Sequence, residues 1–183
     1  AGENKNDLYF NSMALSRAAY QSQGFKERIA YIQSAIVSYD KVFSVIKHGP
    51  RNNSLNVHYH LDYALYLCGQ NKANEAEALV AKVDSLEAST FIPLIKTTRR
   101  AVIDACKGEV SQAIEGLTND NLETNLMEQG GFKQFIALTR GLMEMPDNYT
   151  LREYIIDDIN LLENEGLQNE GLSKLKQELI INP

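Results

Sequence analysis

Hydrophobic residues recur along most of this chain at spacings of three and four, the period at which side chains share one face of an α-helix. Runs that alternate hydrophobic and polar residues between turn formers, the pattern of a half-buried strand, are missing from the sequence. The pattern therefore predicts an all-α protein. We expect helices at residues 7–22, 25–47, 54–69, 73–87, 91–107, 109–118, 121–129, 132–145, 151–165 and 169–181.

Residues typical of helix ends support several of these bounds. Thr150 precedes Glu153 by three residues, as in a capping box, so a helix is expected to begin there. Gly166 lies where the end of a helix favours a residue in the left-handed conformation. The stretch HGPRNNS is rich in turn formers, and it predicts a loop that ends in Ser54 as the N-cap of the next helix.

Four small or apolar positions repeat at a constant spacing of 37 residues. The pairs are Ala64 and Ala101, Cys68 and Ala105, Ala76 and Ala113, and Val80 and Leu117. Small residues on two successive helices let those helices approach closely around a short turn. The spacing therefore predicts two equivalent helical hairpins.

The segments that carry this pattern are YALYLCGQNKANEAEALVAKV, RAVIDACKGEVSQAIEGL and, as a weaker third copy, GGFKQFIALTRGLMEMPDN. Their arrangement resembles the tetratricopeptide repeat (TPR) family, whose helix pairs recur at about 34 residues. The resemblance covers residues 54–146 and implies a right-handed α-solenoid of four or five antiparallel helix hairpins. We expect a single domain over 7–183, preceded by a flexible N-terminus at 1–6 and closed by capping helices at 150–181.

The resemblance also implies a function, because such arrays bind their ligands on the concave face. We expect a non-catalytic scaffold or adaptor that binds a protein or peptide there. Arg99 would anchor a carbonyl or carboxylate through the paired donors of its guanidinium, and a surface ion pair is its alternative role. A ligand-sensing or regulatory domain of a longer signalling or transcription-regulating protein is the alternative function. The expected groove residues are His58, Leu61, Asp62, Leu65, Ile95, Thr98, Arg99 and Val102.

Two further features have two interpretations each. The second predicted helix carries a narrow apolar seam, which fits an intramolecular core contact or a homodimer through helix 25–47. Cys68 and Cys106 have no second cysteine nearby in the sequence, so they are interpreted first as free buried thiols and second as a disulfide. The seam consists of Ile29, Ile32, Ile36, Tyr39, Phe43 and Ile46.

Charge and composition exclude several classes of partner. Lys and Arg total 18 against 24 Asp and Glu, and the resulting net charge of −6 opposes the phosphate attraction on which nucleic-acid binding depends. No apolar stretch approaches the ~20 residues of a membrane-spanning helix, so no membrane insertion is expected. The first residues, AGENKND, contain neither a basic region nor a hydrophobic signal core. This favours a cytoplasmic protein, with an exported protein that has lost its signal or anchor as the alternative.

Motifs of known chemistry are missing, including phosphate loops, dinucleotide-binding glycine motifs and the metalloprotease motif HExxH. We therefore expect neither an enzyme nor a cofactor. His58 and His60 are two residues apart and point to different faces of a helix, which argues against a metal site. Asp157 and Asp158 could form an acid/base dyad, but adjacent helical side chains diverge, so a solvated face is favoured.

Overall fold

The computed structural model describes residues 5–22, 24–43, 50–84, 92–119, 121–133, 136 and 145–181. Within these ranges the chain is helical and forms no strand, which confirms the all-α class. A short 3-10 helix spans Leu126–Glu128. The α-helices are α1 (Lys5–Gln21), α2 (Phe25–Phe43), α3 (Pro50–Gly69), α4 (Ala73–Lys82), α5 (Ile92–Cys106), α6 (Val110–Asn119), α7 (Leu151–Asn164) and α8 (Glu170–Ile181).

Two predicted local features are wrong. The helix α3 begins at Pro50, so Ser54 lies inside the helix instead of capping it. Proline is well suited to a first helical turn, since its missing N–H would have no partner there. The predicted helix at 121–129 is a turn followed by the 3-10 helix, because Asn121 is left-handed and the side chain of Asn125 accepts a bond from the amide of Met127. Most of the predicted helix at 132–145 lies outside the described residues.

Helices that are neighbours in the sequence pack against each other in pairs. The pairs are α1 with α2, α3 with α4, α5 with α6, and α7 with α8. Successive pairs also touch, since α3 contacts α2 and α5, and α5 contacts α4. The last pair packs back onto the earlier helices, with α7 against α3 and α8 against both α5 and α6.

The α3/α4 and α5/α6 hairpins turn in the same way, at positions 37 residues apart. Asn71 supplies the left-handed residue in the first turn, with φ of 60°, and Gly108 supplies it in the second, with φ of 90°. In each turn, the backbone amide of the residue after it donates a hydrogen bond to a carbonyl near the end of the preceding helix. This gives a terminal carbonyl of that helix a partner. These bonds run from Lys72 to Leu67 and from Glu109 to Asp104, each at 2.9 Å.

The α7/α8 pair is joined by the same kind of turn. Gly166 has φ of 71°, and the amide of Leu167 donates to the carbonyl of Leu162 at 3.0 Å, as its position in the sequence predicts. The capping box that begins α7 is also confirmed: the side chain of Thr150 accepts from the amide of Glu153, and the glutamate side chain accepts from the amide of Thr150.

The repeated small residues form the interior of the two central hairpins. All eight are buried, which lets α3, α4, α5 and α6 pack closely. The described seam residues of α2 are buried within the same chain, against α1 and α3, as the intramolecular interpretation requires. The side chain of Phe43 and the whole of Ile46 lie outside the described residues. In the described ranges, no helix is both long enough and apolar enough to cross a bilayer. The buried seam residues are Ile29, Ile32, Ile36 and Tyr39.

Candidate functional site

The structure places the expected groove residues in the interior instead of on an open concave face. All of them belong to α3 or α5, and each is at most 2% exposed. The helices α3 and α5 contact each other, so these residues lie on neighbouring helices, but the strip they form is covered. The residues are His58, Leu61, Asp62, Leu65, Ile95, Thr98, Arg99 and Val102.

The C-terminal helix pair covers this strip. A Cβ atom at Gly69 would lie 3.0 Å from side-chain atoms of both Leu162 and Leu167, so the end of α7 packs directly on the end of α3. A Cβ atom at Gly171 would lie 1.7 Å from the carbonyl oxygen of Ala105, so α8 rests on the backbone of α5. Only glycine permits this approach, because any side chain would collide with the carbonyl.

Polar contacts hold the same pair in place. The carboxylate of Glu165, at the end of α7, accepts a hydrogen bond of 2.6 Å from the amide of Phe25 at the start of α2. The amide side chain of Asn169 donates to the side chain of Asn71 at 2.8 Å and to the carbonyl of Cys106 at 3.3 Å. One side chain in the α7–α8 loop therefore touches the turn regions of both central hairpins.

Beneath α7 lies a buried ionic cluster, formed by His58 and Asp62 of α3, Arg99 of α5 and Asp158 of α7. The guanidinium of Arg99 is 2.9 Å from the carboxylate of Asp158 and 3.9 Å from that of Asp62. The other oxygen of Asp62 lies 3.1 Å from Nε2 of His58. The cluster thus joins three helices through one cation placed between two carboxylates.

The prediction that Asp158 lies on a solvated face is wrong. Asp158 is almost fully buried, whereas Asp157 is half-buried and accepts a 2.7 Å hydrogen bond from the hydroxyl of Tyr149. The sequence does contain a signal for this burial. Asp158 falls at helical spacing within the apolar stripe of α7, where a carboxylate needs a buried cation or donor. The stripe consists of Leu151, Tyr154, Ile155, Ile159 and Leu162.

The ionic cluster fixes the positions of the helices that carry it. An unpaired charge in the protein interior is costly, so moving α7 away from α5 would leave Arg99 without its nearest carboxylate. Because all four side chains are enclosed by packed helices, a substrate could reach them only if α7 moved. The arrangement thus favours a structural role for Arg99, through an ion pair that is buried instead of exposed.

A second buried histidine lies on another face of α3. Nδ1 of His60 is 2.8 Å from the carbonyl of Asn56, while Nε2 of His60 and the side-chain oxygen of Asn56 have no hydrogen-bond partner in the described part of the chain. Burial lowers the pKa of His60 below its ordinary value of 6.5, since the protonated ring is poorly solvated there. Across the described ranges, no group of histidine, cysteine and acidic side chains is arranged to hold a metal ion.

The two cysteines are free thiols at the adjoining ends of α3 and α5. Cys68 is buried and Cys106 is partly buried. A hydrogen bond with Cys68 raises the pKa of the Cys106 thiol, and burial raises it further. Such a thiol remains protonated and is a poor nucleophile.

Surface clefts lie between successive hairpins. The α2–α3 cleft has a volume of about 350 Å³ and is lined by residues that include Lys26, Tyr63, Tyr66 and Lys72. The α4–α5 cleft has a volume of about 230 Å³. It is lined by Arg100 and Ile103, which stand 37 positions after the two tyrosines, and by Glu77, Asp84 and Asp104. The two clefts therefore occupy equivalent places on successive hairpins.

No protein-family model matches this chain, and no curated protein or solved structure is significantly similar to it.

Proposed function

We propose that this chain is a non-catalytic, protein-binding scaffold, built as a TPR-like α-solenoid of antiparallel helix hairpins. One observation carries the proposal: hairpin, left-handed turn and lateral cleft recur together at a spacing of 37 residues. A stack of similar helix pairs has this recurrence, since each pair buries its apolar face against the next.

The disposition of charge supports binding over catalysis. Arg99 is balanced inside the fold by Asp62 and Asp158, so the strongest interior charges serve to hold helices together. The surface clefts, by contrast, combine apolar floors with polar rims. Grooves between helices bind peptides through such apolar anchors set beside hydrogen-bonding groups.

The binding surface we propose differs from the concave strip expected from the sequence. Since α7 and α8 lie over that strip, an extended peptide meets the lateral clefts between hairpins instead. In this proposal the buried strip has a structural role. Its residues set the spacing of α3 and α5 and therefore the shape of the clefts.

Selection of displayed peptides tests this function. A random library of peptides about twelve residues long is selected against the folded chain, with an unrelated all-α protein of similar net charge as the control. We expect a consensus sequence to be enriched only on this chain, with saturable binding of the synthetic peptide by calorimetry. Absence of any enriched consensus over the control would contradict a peptide-binding scaffold.

A further inference from the structure

We infer that the α2–α3 cleft binds an acidic peptide segment, with a carboxylate held between Lys26 and Lys72 and an apolar side chain seated beside Tyr63 and Tyr66. This inference rests on the proposed function, since it names the chemistry of the partner that the scaffold would bind.

The charge of the cleft is the first support. Lys26 and Lys72 both line it and both are exposed, and none of the residues that line it is acidic. Neither lysine forms an ion pair with another residue in the described ranges, whereas Lys82 pairs with Asp40 at 2.8 Å. A chain of net charge −6 therefore presents two uncompensated ammonium groups at one cleft, which attracts a carboxylate.

In the equivalent α4–α5 cleft, by contrast, a cation is already paired with a carboxylate of the same chain. Arg100 and Asp84 both line it and form an ion pair, and Lys96 of α5 lies 3.2 Å from the same carboxylate. At the position of Asp104 in that cleft, the α2–α3 cleft has Leu67. At this position, therefore, one carboxylate of the α4–α5 cleft is replaced by an apolar side chain in the α2–α3 cleft.

The remaining lining residues suit a peptide. Gln33 and Gln70 carry side-chain amides that both donate and accept, as a peptide backbone requires. The ring of Tyr66 is held edge-on by Phe25, with centroids 6.2 Å apart, so this wall of the cleft is already in place. Leu67 and its buried neighbours give an apolar floor.

The size of the cleft limits the length of the segment. A volume of about 350 Å³ lies at the lower end of the range for ligand pockets. The cleft therefore accepts one or two side chains of a peptide instead of a whole helix. An aspartate or glutamate adjacent to an apolar residue is the shortest segment that meets both requirements.

Fluorescence anisotropy with a matched pair of peptides tests the inference. The probe is a fluorescein-labelled hexapeptide that alternates glutamate and leucine, and its control has glutamine in place of glutamate. We expect the acidic peptide to bind at least about tenfold more tightly than the control, and added salt to weaken its binding.

Matched variants locate the site. The double variant Lys26→Ala and Lys72→Ala should lose at least about tenfold in affinity for the acidic peptide. Neither change removes a helix cap, because the side chain of Lys72 makes no capping bond at the start of α4. The double variant Lys82→Ala and Lys174→Ala changes the net charge equally, at lysines that pair elsewhere, and should bind as the wild type does.

Three results would overturn the inference: no saturable binding of the acidic peptide, equal binding of the two peptides, or equal loss in the two double variants. If the display selection nevertheless enriches neutral peptides, the scaffold function stands and only the assignment of this cleft fails. If it enriches none, the proposed function itself fails.

Discussion

The guanidinium of Arg99 in α5 lies 2.9 Å from the carboxylate of Asp158 in α7, and both side chains are at least 98% buried. This ion pair holds α7 of the C-terminal helix pair over the strip that α3 and α5 would otherwise expose. Its importance lies in the cost of breaking it, since one charge would remain in the interior without its partner.

Replacing Asp158 should therefore destabilise the protein strongly. For Asp158→Asn we expect the free energy of unfolding to fall by about 3–5 kcal/mol, because a neutral amide cannot balance the buried guanidinium. Urea denaturation measures the change. The matched variant Asp147→Asn removes a fully exposed carboxylate and should change the same quantity by less than about 0.5 kcal/mol. Similar losses of stability in the two variants would show that the buried ion pair contributes no more than an exposed carboxylate does.

Two glycine substitutions should act in opposite directions. Gly171→Ala places a methyl group against the Ala105 carbonyl, so α8 must shift. We expect the free energy of unfolding to fall by about 1–3 kcal/mol. At Gly116 in α6 an added methyl group meets open space. Because alanine has the higher helix propensity, Gly116→Ala should raise the free energy of unfolding by about 0.5–1 kcal/mol. Thermal melting compares the two. An unchanged melting temperature for Gly171→Ala would contradict the close contact of α8 with α5.

Equivalent alanines in the two central hairpins should respond alike to enlargement. Ala76→Leu and Ala113→Leu each place a large side chain in a buried contact. Each should lower the free energy of unfolding by about 1–3 kcal/mol. Ala78→Leu, at an exposed site of the same helix as Ala76, serves as the control and should have little effect. Denaturation midpoints measure all three changes. A loss at only one of the two buried alanines would show that the hairpins are packed differently.

The stability of the protein should depend on the protonation of His60. Because burial lowers its pKa in the folded state, the unfolded chain binds the proton more readily. The stabilisation is therefore present above pH 6.5 and is lost as pH falls from 6.5 toward the lower pKa of the folded state. Nearby Lys82 lowers that pKa further, while Asp40 and the bond to Asn56 oppose the shift.

Urea midpoints at about pH 7.5 and about pH 5.5 measure this dependence. The wild type should lose more stability over that interval than His60→Gln, which cannot titrate there. Since the other histidines and the carboxylates are shared by both proteins, the difference between them reports on His60. Parallel changes in the two proteins would contradict the assignment.

Much of the local structure could be predicted because its causes are local. The capping box of Thr150 and Glu153 and the left-handed Gly166 depend on residues a few positions apart, and both are found as predicted. The two local features that were predicted wrongly, the start of α3 and the segment at 121–129, also depend on residues a few positions apart. The proline of the turn-rich stretch starts α3, and at 121–129 the conformations of two asparagines outweigh the periodicity of the apolar residues.

Interactions between near neighbours in the chain are enough to specify most of the helices, the hairpin turns and the 37-residue spacing, since periodicity, small residues and turn formers all act over short separations. The position of α7 and α8 over the α3 and α5 strip depends instead on how the helices pack in three dimensions. The contacts responsible, Arg99 with Asp158 and Gly171 with Ala105, join distant parts of the chain. A carboxylate in an apolar stripe indicates that a buried cation is needed, but only the packing of three helices selects which cation it meets.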